Sequence, residues 1–123
     1  MQSLSIVVAQ KDQASAHRIA QSLRNHVRQV FIAKTADEIS EAILKLHAQA
    51  AIVDLELMQD AQLRQLCLHF DRTAVVTTHR APDDEMWMDS MTLGAVDCCQ
   101  QTDTNGILRA IAHNVTLTRA HAA

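Results

Sequence analysis

The chain has 123 residues, of which 48% are hydrophobic and 20% charged, and its formal net charge is −3. This length fits one domain with a single core. Without a basic excess a nucleic-acid surface is disfavoured, and no apolar run approaches the roughly 18 residues of a membrane helix. Three cysteines without a secretory signal favour a reducing compartment, so we expect a cytoplasmic protein.

Short apolar runs alternate with amphipathic stretches along the whole chain. The runs are typical of strands covered on both faces, and apolar residues spaced three and four apart predict helices. In chain order we predict a strand at 4–9, a helix within 11–26, a strand at 27–34, a helix over 35–46, a strand at 50–57, a helix at 61–70, a strand at 73–78, a helix over 82–94, a strand at 95–100 and a helix at 104–119.

Four residues predict where helices begin and end. Asp12 is a plausible N-cap of the first helix, and Thr35 stands three residues before Glu38, which is the capping-box spacing. Gly94 is typical of a helix C-terminus. Pro82 at or near the first turn of the fourth helix is also well placed.

Five strand–helix units predict a parallel sheet with helices on both faces. Because crossovers are right-handed, few topologies remain, and we expect a five-stranded, doubly wound, flavodoxin-like (βα)5 three-layer sandwich. We expect residues 1–123 to form one domain, either a stand-alone module or the amino-terminal part of a longer regulator.

In such sheets, sites form at the carboxyl ends of the strands. A carboxylate, hydroxyls and an ammonium group lie at the tips of adjacent predicted strands, at Asp54, at Thr77 and Thr78, and at Lys11. A carboxylate can be a nucleophile, so this set fits phosphoryl transfer. A glycine-rich phosphate loop is excluded because the chain has two glycines.

The chain resembles the receiver domains of bacterial two-component response regulators over nearly its whole length. AIVDLEL resembles the family's third strand, which implies that Asp54 is at the phospho-acceptor position. VVTT resembles the fourth strand and implies Thr77 at the conserved hydroxyl position, with Thr78 a strand residue. LGAVDCCQQT resembles the stretch from the fourth helix into the fifth strand.

The chain departs from the family at most signature positions. Gln10 and Lys11 stand where the family has two acidic residues that hold Mg²⁺, although a one-residue shift would place Asp12 there. Gln101 replaces the active-site lysine, and Cys98 stands at the aromatic switch position. Two of the five signature positions keep the family's residue type. The substitutions at the others predict a degenerate receiver.

Asp54 without a metal beside it would face a phosphoryl group with little charge compensation, and each lost stabiliser of this kind costs about 3 kcal/mol or more. We therefore expect phosphorylation to be weakened or lost, and no cofactor; Mg²⁺, if bound, would be held weakly by Asp12 and Asp54. Two interpretations of Lys11 stay open, an ammonium that pairs with Asp54 in place of the metal, and a side chain in water.

MWMDSM (86–91) places more apolar side chains on one helix than a single face can bury, so Trp87 or Met88 should be exposed as a candidate partner surface, or else fill the core. The resemblance implies that the fourth helix, fifth strand and fifth helix form the partner or dimer face. Cys67, Cys98 and Cys99 fit buried thiols better than a metal site.

The function predicted is a non-enzymatic pseudo-receiver that acts by contacts with a protein partner (an output domain, a kinase or another regulator) or as a homodimer. The first alternative is a conventional receiver, phosphorylated on Asp54 by a histidine kinase. The second is a small flavodoxin-like enzyme, in which Glu56 could form an acid pair with Asp54 on one strand face if the third strand continues.

Overall fold

The computed structural model describes the fold of residues 3–122 and the side chains of residues 3–115. Strands and helices alternate five times. The strands are β1 (Ser5–Ala9), β2 (Gln29–Ala33), β3 (Ala50–Asp54), β4 (Ala74–His79) and β5 (Asp97–Gln100). The helices are α1 (Gln13–Leu23), α2 (Ala36–Leu46), α3 (Asp60–His69), α4 (Asp84–Leu93) and α5 (Thr104–Ala122).

The five strands form one parallel sheet in the order β2-β1-β3-β4-β5. This arrangement confirms the predicted doubly wound, flavodoxin-like fold. At the centre of the sheet, Ala9 of β1 pairs with Val53 of β3, and Asp54 of β3 pairs with Thr78 of β4. The strands β2 and β5 are the two edges of the sheet, and the carboxyl ends of β1, β3 and β4 meet at one rim.

The core is aliphatic and is divided by the sheet into two layers. Ile6, Val8 and Ile52 point to the layer shared with α1 and α5, and their neighbours Val7 and Val53 point to the layer of α2 and α3. All five residues are at most 1% exposed. Both faces of β1 and β3 are therefore covered, which is why their sequences are continuous apolar runs rather than alternating ones.

The predicted helix caps are confirmed. The Asp12 carboxylate accepts a hydrogen bond from the Ser15 amide at 3.1 Å, and the Thr35 hydroxyl accepts one from the Glu38 amide at 3.1 Å. Gly94 ends α4 at φ 113°, a left-handed conformation that favours glycine. The start of α4 lies later than predicted, because Asp83 is its N-cap.

The third strand is shorter than predicted, since β3 ends at Asp54 and a turn follows. The Glu56 amide donates to Asp54 Oδ1 at 2.9 Å, and the Leu57 amide donates to the Asp54 carbonyl oxygen at 3.0 Å. An aspartate that accepts from the amide two residues on closes the chain into a turn. Glu56 is therefore not on a strand beside Asp54, and the continued strand on which an acid pair of the two was considered is absent. Within residues 3–122, no helix is long and apolar enough to cross a membrane.

Candidate functional site at the carboxyl edge of the sheet

Asp54 lies at the centre of the rim and is 2% exposed. Its Oδ2 accepts from the Lys11 amide at 3.1 Å, and its Oδ1 accepts from the Glu56 amide at 2.9 Å. The Gln101 Nε2 lies 3.5 Å from Oδ2, at the long limit of a hydrogen bond. Backbone and amide dipoles therefore solvate this carboxylate, and they fix its orientation from two loops.

Lys11 contacts Asp54 through its backbone rather than through its side chain. Among residues 3–115, the ion pairs within 4 Å do not include one between Lys11 and Asp54, and the Lys11 side chain is exposed. The chain leaves β1 at Ala9 and turns so that the Lys11 amide, not the ammonium, points at the carboxylate. The hypothesis that the ammonium replaces a metal at Asp54 is thus wrong for this arrangement.

Gln10 is fully buried immediately after β1 and connects three strands. Its Nε2 donates to the Ala9 carbonyl oxygen at 3.0 Å and lies 2.9 Å from Thr78 Oγ1. Its Oε1 accepts from Gln101 Nε2 at 3.2 Å. We call Gln10, Thr78 and Gln101 the amide network. It occupies the rim beside Asp54 with neutral side chains that are joined by hydrogen bonds.

The two threonines of β4 point to opposite sides. Thr78 pairs with Asp54 across the sheet and belongs to the amide network. The Thr77 hydroxyl instead donates to Ser90 Oγ at 2.9 Å and lies 3.3 Å from the Asp97 carbonyl oxygen, towards α4. That Thr77 occupies the family's hydroxyl position stays a prediction. The role of Thr78 was missed by the sequence interpretation, although its phase with Asp54 would have indicated it.

Gln101 and Cys98 both occupy the places expected from the strand phase. Gln101 directly follows β5 and reaches the rim, which is where the resemblance placed a lysine. Cys98 pairs with Thr77 and is half-buried on the side of α4. That this amide and this thiol stand at the family's lysine and aromatic positions stays a prediction.

Asp12 lines the same cavity as Asp54, but its oxygens serve the helix. Its Oδ2 accepts from the Ser15 hydroxyl at 2.9 Å and from the Ser15 amide at 3.1 Å. These bonds, the hydroxyl first, lower the pKa of the Asp12 carboxyl below its ordinary value.

The fold family implies Mg²⁺, which prefers hard oxygen ligands, usually one or two carboxylates together with waters. Within residues 3–115, no set of three histidine, cysteine, aspartate or glutamate side chains is arranged to hold a metal. Both Asp54 oxygens and Asp12 Oδ2 already accept hydrogen bonds, and the Gln10 oxygen is bound within the amide network. The donor set as arranged does not fit the ion.

A charged cluster borders the cavity and was missed by the sequence interpretation. Glu56 Oε1 lies 3.1 Å from Arg80 Nη2 and 3.4 Å from His79 Nε2. The cavity measures about 400 Å³ and is lined by Lys11, Asp12, Ser15, Asp54, Glu56, Arg80 and Gln101. Arg80 follows β4 directly, so its place at the carboxyl rim was the available signal. Lys11 and Arg80 are the cationic side chains among these lining residues, and neither forms an ion pair with Asp54 within 4 Å among residues 3–115.

The prediction of exposed apolar side chains on α4 is confirmed. Trp87 is 45% exposed and Met88 is 61% exposed. The Trp87 indole donates to Asp97 Oδ1 at 3.1 Å, which holds the ring against β5. On α4, Ser90 is the buried residue. Helix α4 is therefore attached to the sheet with little apolar burial and presents an apolar outer surface.

Solved structures share this fold, with little sequence in common. The signal receiver domain of the putative Luxo repressor protein from Vibrio parahaemolyticus matches with a TM-score of 0.81 at 14% identity, covering 98% of this chain and 95% of that chain. The CheY-like receiver domain protein from Methanospirillum hungatei JF-1 matches with a TM-score of 0.80 at 18% identity, covering 97% and 98%. The chain has the fold of response-regulator receiver domains.

A longer protein contains the same fold as one part. NtrX from Brucella abortus, solved in complex with ADP, matches with a TM-score of 0.85 at 16% identity, and the alignment covers 98% of this chain but 28% of that one. No protein-family model and no curated protein matches the sequence. At such low identities the likeness concerns the receiver fold, and the residues of the rim have to be interpreted from their own contacts.

Proposed function

We propose that this receiver-fold chain is a pseudo-receiver, a signalling domain that acts through protein contacts, with Asp54 phosphorylation weakened or lost. The observation that carries the proposal is the buried amide network. Gln10 stands at the position of an acidic residue and Gln101 at that of a lysine, and their side chains bond to each other at 3.2 Å. Neutral groups thus fill the part of the rim where phosphoryl transfer requires charge.

The electrostatics of the rim support the proposal. Phosphorylation would add negative oxygens beside Asp54, where the contacting donors are two backbone amides and, at 3.5 Å, one side-chain amide. Each preorganised charge stabiliser that is missing from such a site costs about 3 kcal/mol or more. The resemblance implies that amides replace one carboxylate and one ammonium group here. We therefore expect the activation barrier of phosphoryl transfer to rise through the loss of at least two such stabilisers.

The experiment exposes the purified chain to acetyl phosphate with Mg²⁺ and measures the intact mass. We expect no adduct on the wild type and none on Asp54→Asn. The matched gain-of-function variant is Gln10→Asp/Lys11→Asp/Gln101→Lys, which restores two carboxylates and the lysine. We expect this triple variant to acquire a phosphoryl mass that its own Asp54→Asn derivative lacks. An Asp54-dependent adduct on the wild type would contradict the proposal.

The second candidate function is a conventional receiver phosphorylated on Asp54. The observation that favours it is that Asp12 and Asp54 line the same cavity. This candidate requires Asp12 to leave its capping bonds with Ser15, so Ser15→Ala, which removes one of them, should increase any adduct. An adduct that requires Asp12 as well as Asp54 would favour this function over the pseudo-receiver.

The α4 surface of Trp87 and Met88 is the part of the molecule that we propose to contact a protein partner, such as an output domain, a kinase or another regulator. Exposed aromatic and Met side chains are enriched at interfaces. A photo-crosslinking residue at Met88 should capture a reproducible protein in native cells. The same residue at Leu68 of α3, which is 65% exposed, is the matched control and should not. Equal capture at both positions would contradict the assignment.

A further inference from the structure

Charge is strongly segregated along the sequence. Residues 81–108 contain six carboxylates and no Lys, Arg or His: Asp83, Asp84, Glu85, Asp89, Asp97 and Asp103. Residues 13–36 contain no Asp or Glu. They contain six Arg, Lys or His side chains: His17, Arg18, Arg24, His26, Arg28 and Lys34. The net charge of −3 therefore conceals two regions of opposite sign.

The acidic region forms one exposed surface on α4. Asp84, Glu85, Met88 and Asp89 are exposed on the side of the helix opposite buried Ser90. We call these four residues, with half-exposed Trp87 at their border, the acidic α4 face. The ion pairs within 4 Å among residues 3–115 both involve Glu56 and leave these carboxylates without a cationic partner. An apolar centre is thus surrounded by unneutralised negative charge.

The basic region forms a matching surface on α1 and the loop after it. His17 and Arg18 on α1, its C-cap Arg24, and Arg28 in the loop before β2 are all exposed. His17 and Arg24 are seven residues apart, on the side of the helix away from the buried stripe of Ile19 and Leu23. We call these four residues the basic α1 face. Its arginines also take no part in the ion pairs found among residues 3–115.

The two faces cannot neutralise each other within one molecule. Helix α1 packs on β1 and β2 at one edge of the sheet, and α4 packs on β5 at the other edge. Four strand spacings of about 4.8 Å separate those edges, roughly 19 Å in all. They also lie on opposite faces of the sheet, because α1 belongs to the first core layer and Leu93 of α4 to the second. At about 0.15 M salt the Debye length is about 8 Å, so their mutual attraction is screened.

We propose that the acidic α4 face binds the basic α1 face of a second copy of this chain, head to tail. The alternative pairing, α4 against α4 across a two-fold axis, would bring Asp84, Glu85 and Asp89 against their own copies, and like charges in contact are unfavourable. A head-to-tail contact leaves one free acidic and one free basic face at the ends, so association continues beyond the dimer, as an open chain or, where the rotation between copies closes, as a ring. The contact uses the α4 surface of the proposed function but not the chemistry of Asp54.

The first experiment is sedimentation velocity of the full chain over a range of concentrations in about 20 mM and about 0.5 M salt, where the Debye length falls to a few ångströms. We expect the mean sedimentation coefficient to rise with concentration at low salt and to stay at the monomer value at high salt. A monomer at both salt concentrations overturns the proposal.

Charge-reversal variants identify the faces. Arg18→Glu/Arg24→Glu, with α4 intact, and Asp84→Lys/Glu85→Lys, with α1 intact, should each be monomeric at low salt. An equimolar mixture of the two variants should associate again, because each then meets a face of opposite sign. Lys45→Glu/Arg72→Glu, which changes the charge by the same amount outside both faces, should associate like the wild type.

Each other outcome contradicts the head-to-tail contact in a specific way. Association that survives Arg18→Glu/Arg24→Glu but not Asp84→Lys/Glu85→Lys would mean a two-fold α4 dimer. Loss of association in Lys45→Glu/Arg72→Glu would mean a nonspecific charge effect. Neither result bears on phosphorylation, which the mass measurement tests separately. The head-to-tail contact and the loss of Asp54 phosphorylation can therefore be refuted independently of each other. Circular dichroism of every variant confirms that it is folded.

Discussion

Replacement of Gln10 by leucine tests whether the amide network stabilises the fold. Leucine has a similar volume but no polar atoms, so the variant removes the bonds to Thr78, Gln101 and the Ala9 carbonyl oxygen. The Thr78 hydroxyl is 0% exposed and would lose its partner. A buried polar group left unpaired costs about 1–3 kcal/mol. We expect the free energy of unfolding to fall by about 2 kcal/mol, with leucine burial offsetting a part of the larger loss.

A double-mutant cycle isolates the Gln10–Thr78 interaction. Thr78→Val should be destabilising by itself, and Gln10→Leu/Thr78→Val should cost less than the sum of the single variants by about 1 kcal/mol, because both unpaired groups are gone. The assay is urea unfolding followed by far-ultraviolet circular dichroism. Gln21→Leu, at an exposed position of α1, is the control and should change the free energy by no more than about 0.5 kcal/mol. A Gln10→Leu effect as small as that, or strict additivity, would refute the reasoning.

Three further predictions concern α4 and the thiols. Thr77→Val should lower the free energy of unfolding by about 1–2 kcal/mol by leaving Ser90 unpaired, and Thr77→Val/Ser90→Ala should recover a part of it in urea unfolding. Gly94→Ala should lower the thermal midpoint, because the residue has φ 113° and its added Cβ would lie 2.7 Å from the Cys67 Cβ; an unchanged midpoint would contradict this. Burial raises the pKa of the Cys67 thiol to about 11 and that of the Cys99 thiol to about 12. Both thiols therefore stay protonated in the folded state at a pH near 9, where the thiols of the unfolded chain begin to ionise, and the free energy of unfolding should decline from there up to about pH 11–12. Urea titrations at several pH values should show this decline, and a less steep one in Cys99→Ala.

The sequence predicted the fold because its signals were local and consistent. Continuous apolar runs gave the buried strands, and Asp12, Thr35 and Gly94 gave the helix limits that the structure confirms. The prediction was wrong at β3, where apolar Leu55 and Leu57 extend the strand pattern past Asp54. A side-chain bond from Asp54 to the Glu56 amide ends the strand, and periodicity carries no signal for such a bond.

The site was only partly predictable for a related reason. Strand phase located Asp54, Gln10 and Gln101 at the rim, but a side chain's partners depend on the path of each loop. The turn after β1 presents the Lys11 amide to Asp54, so of the two interpretations of Lys11 left open by the sequence, the ion pair with Asp54 is absent among residues 3–115. The hydrogen bond of Thr78 was not predicted because its partner Gln10 is 68 residues away along the chain.

The neutrality of the amide network has a consequence for switching under the proposed function. A receiver that responds to phosphorylation needs side chains whose preferred positions change when charge is added. At this rim the side chains of Gln10, Thr78 and Gln101 are joined by hydrogen bonds, and all three are neutral. Opening the network costs about 1–3 kcal/mol for each buried group that is left unpaired. The amide network therefore stabilises one arrangement of β1, β4 and β5. Under the proposed pseudo-receiver function, we expect regulation to act through binding at the surface, where α1 and α4 carry opposite charge.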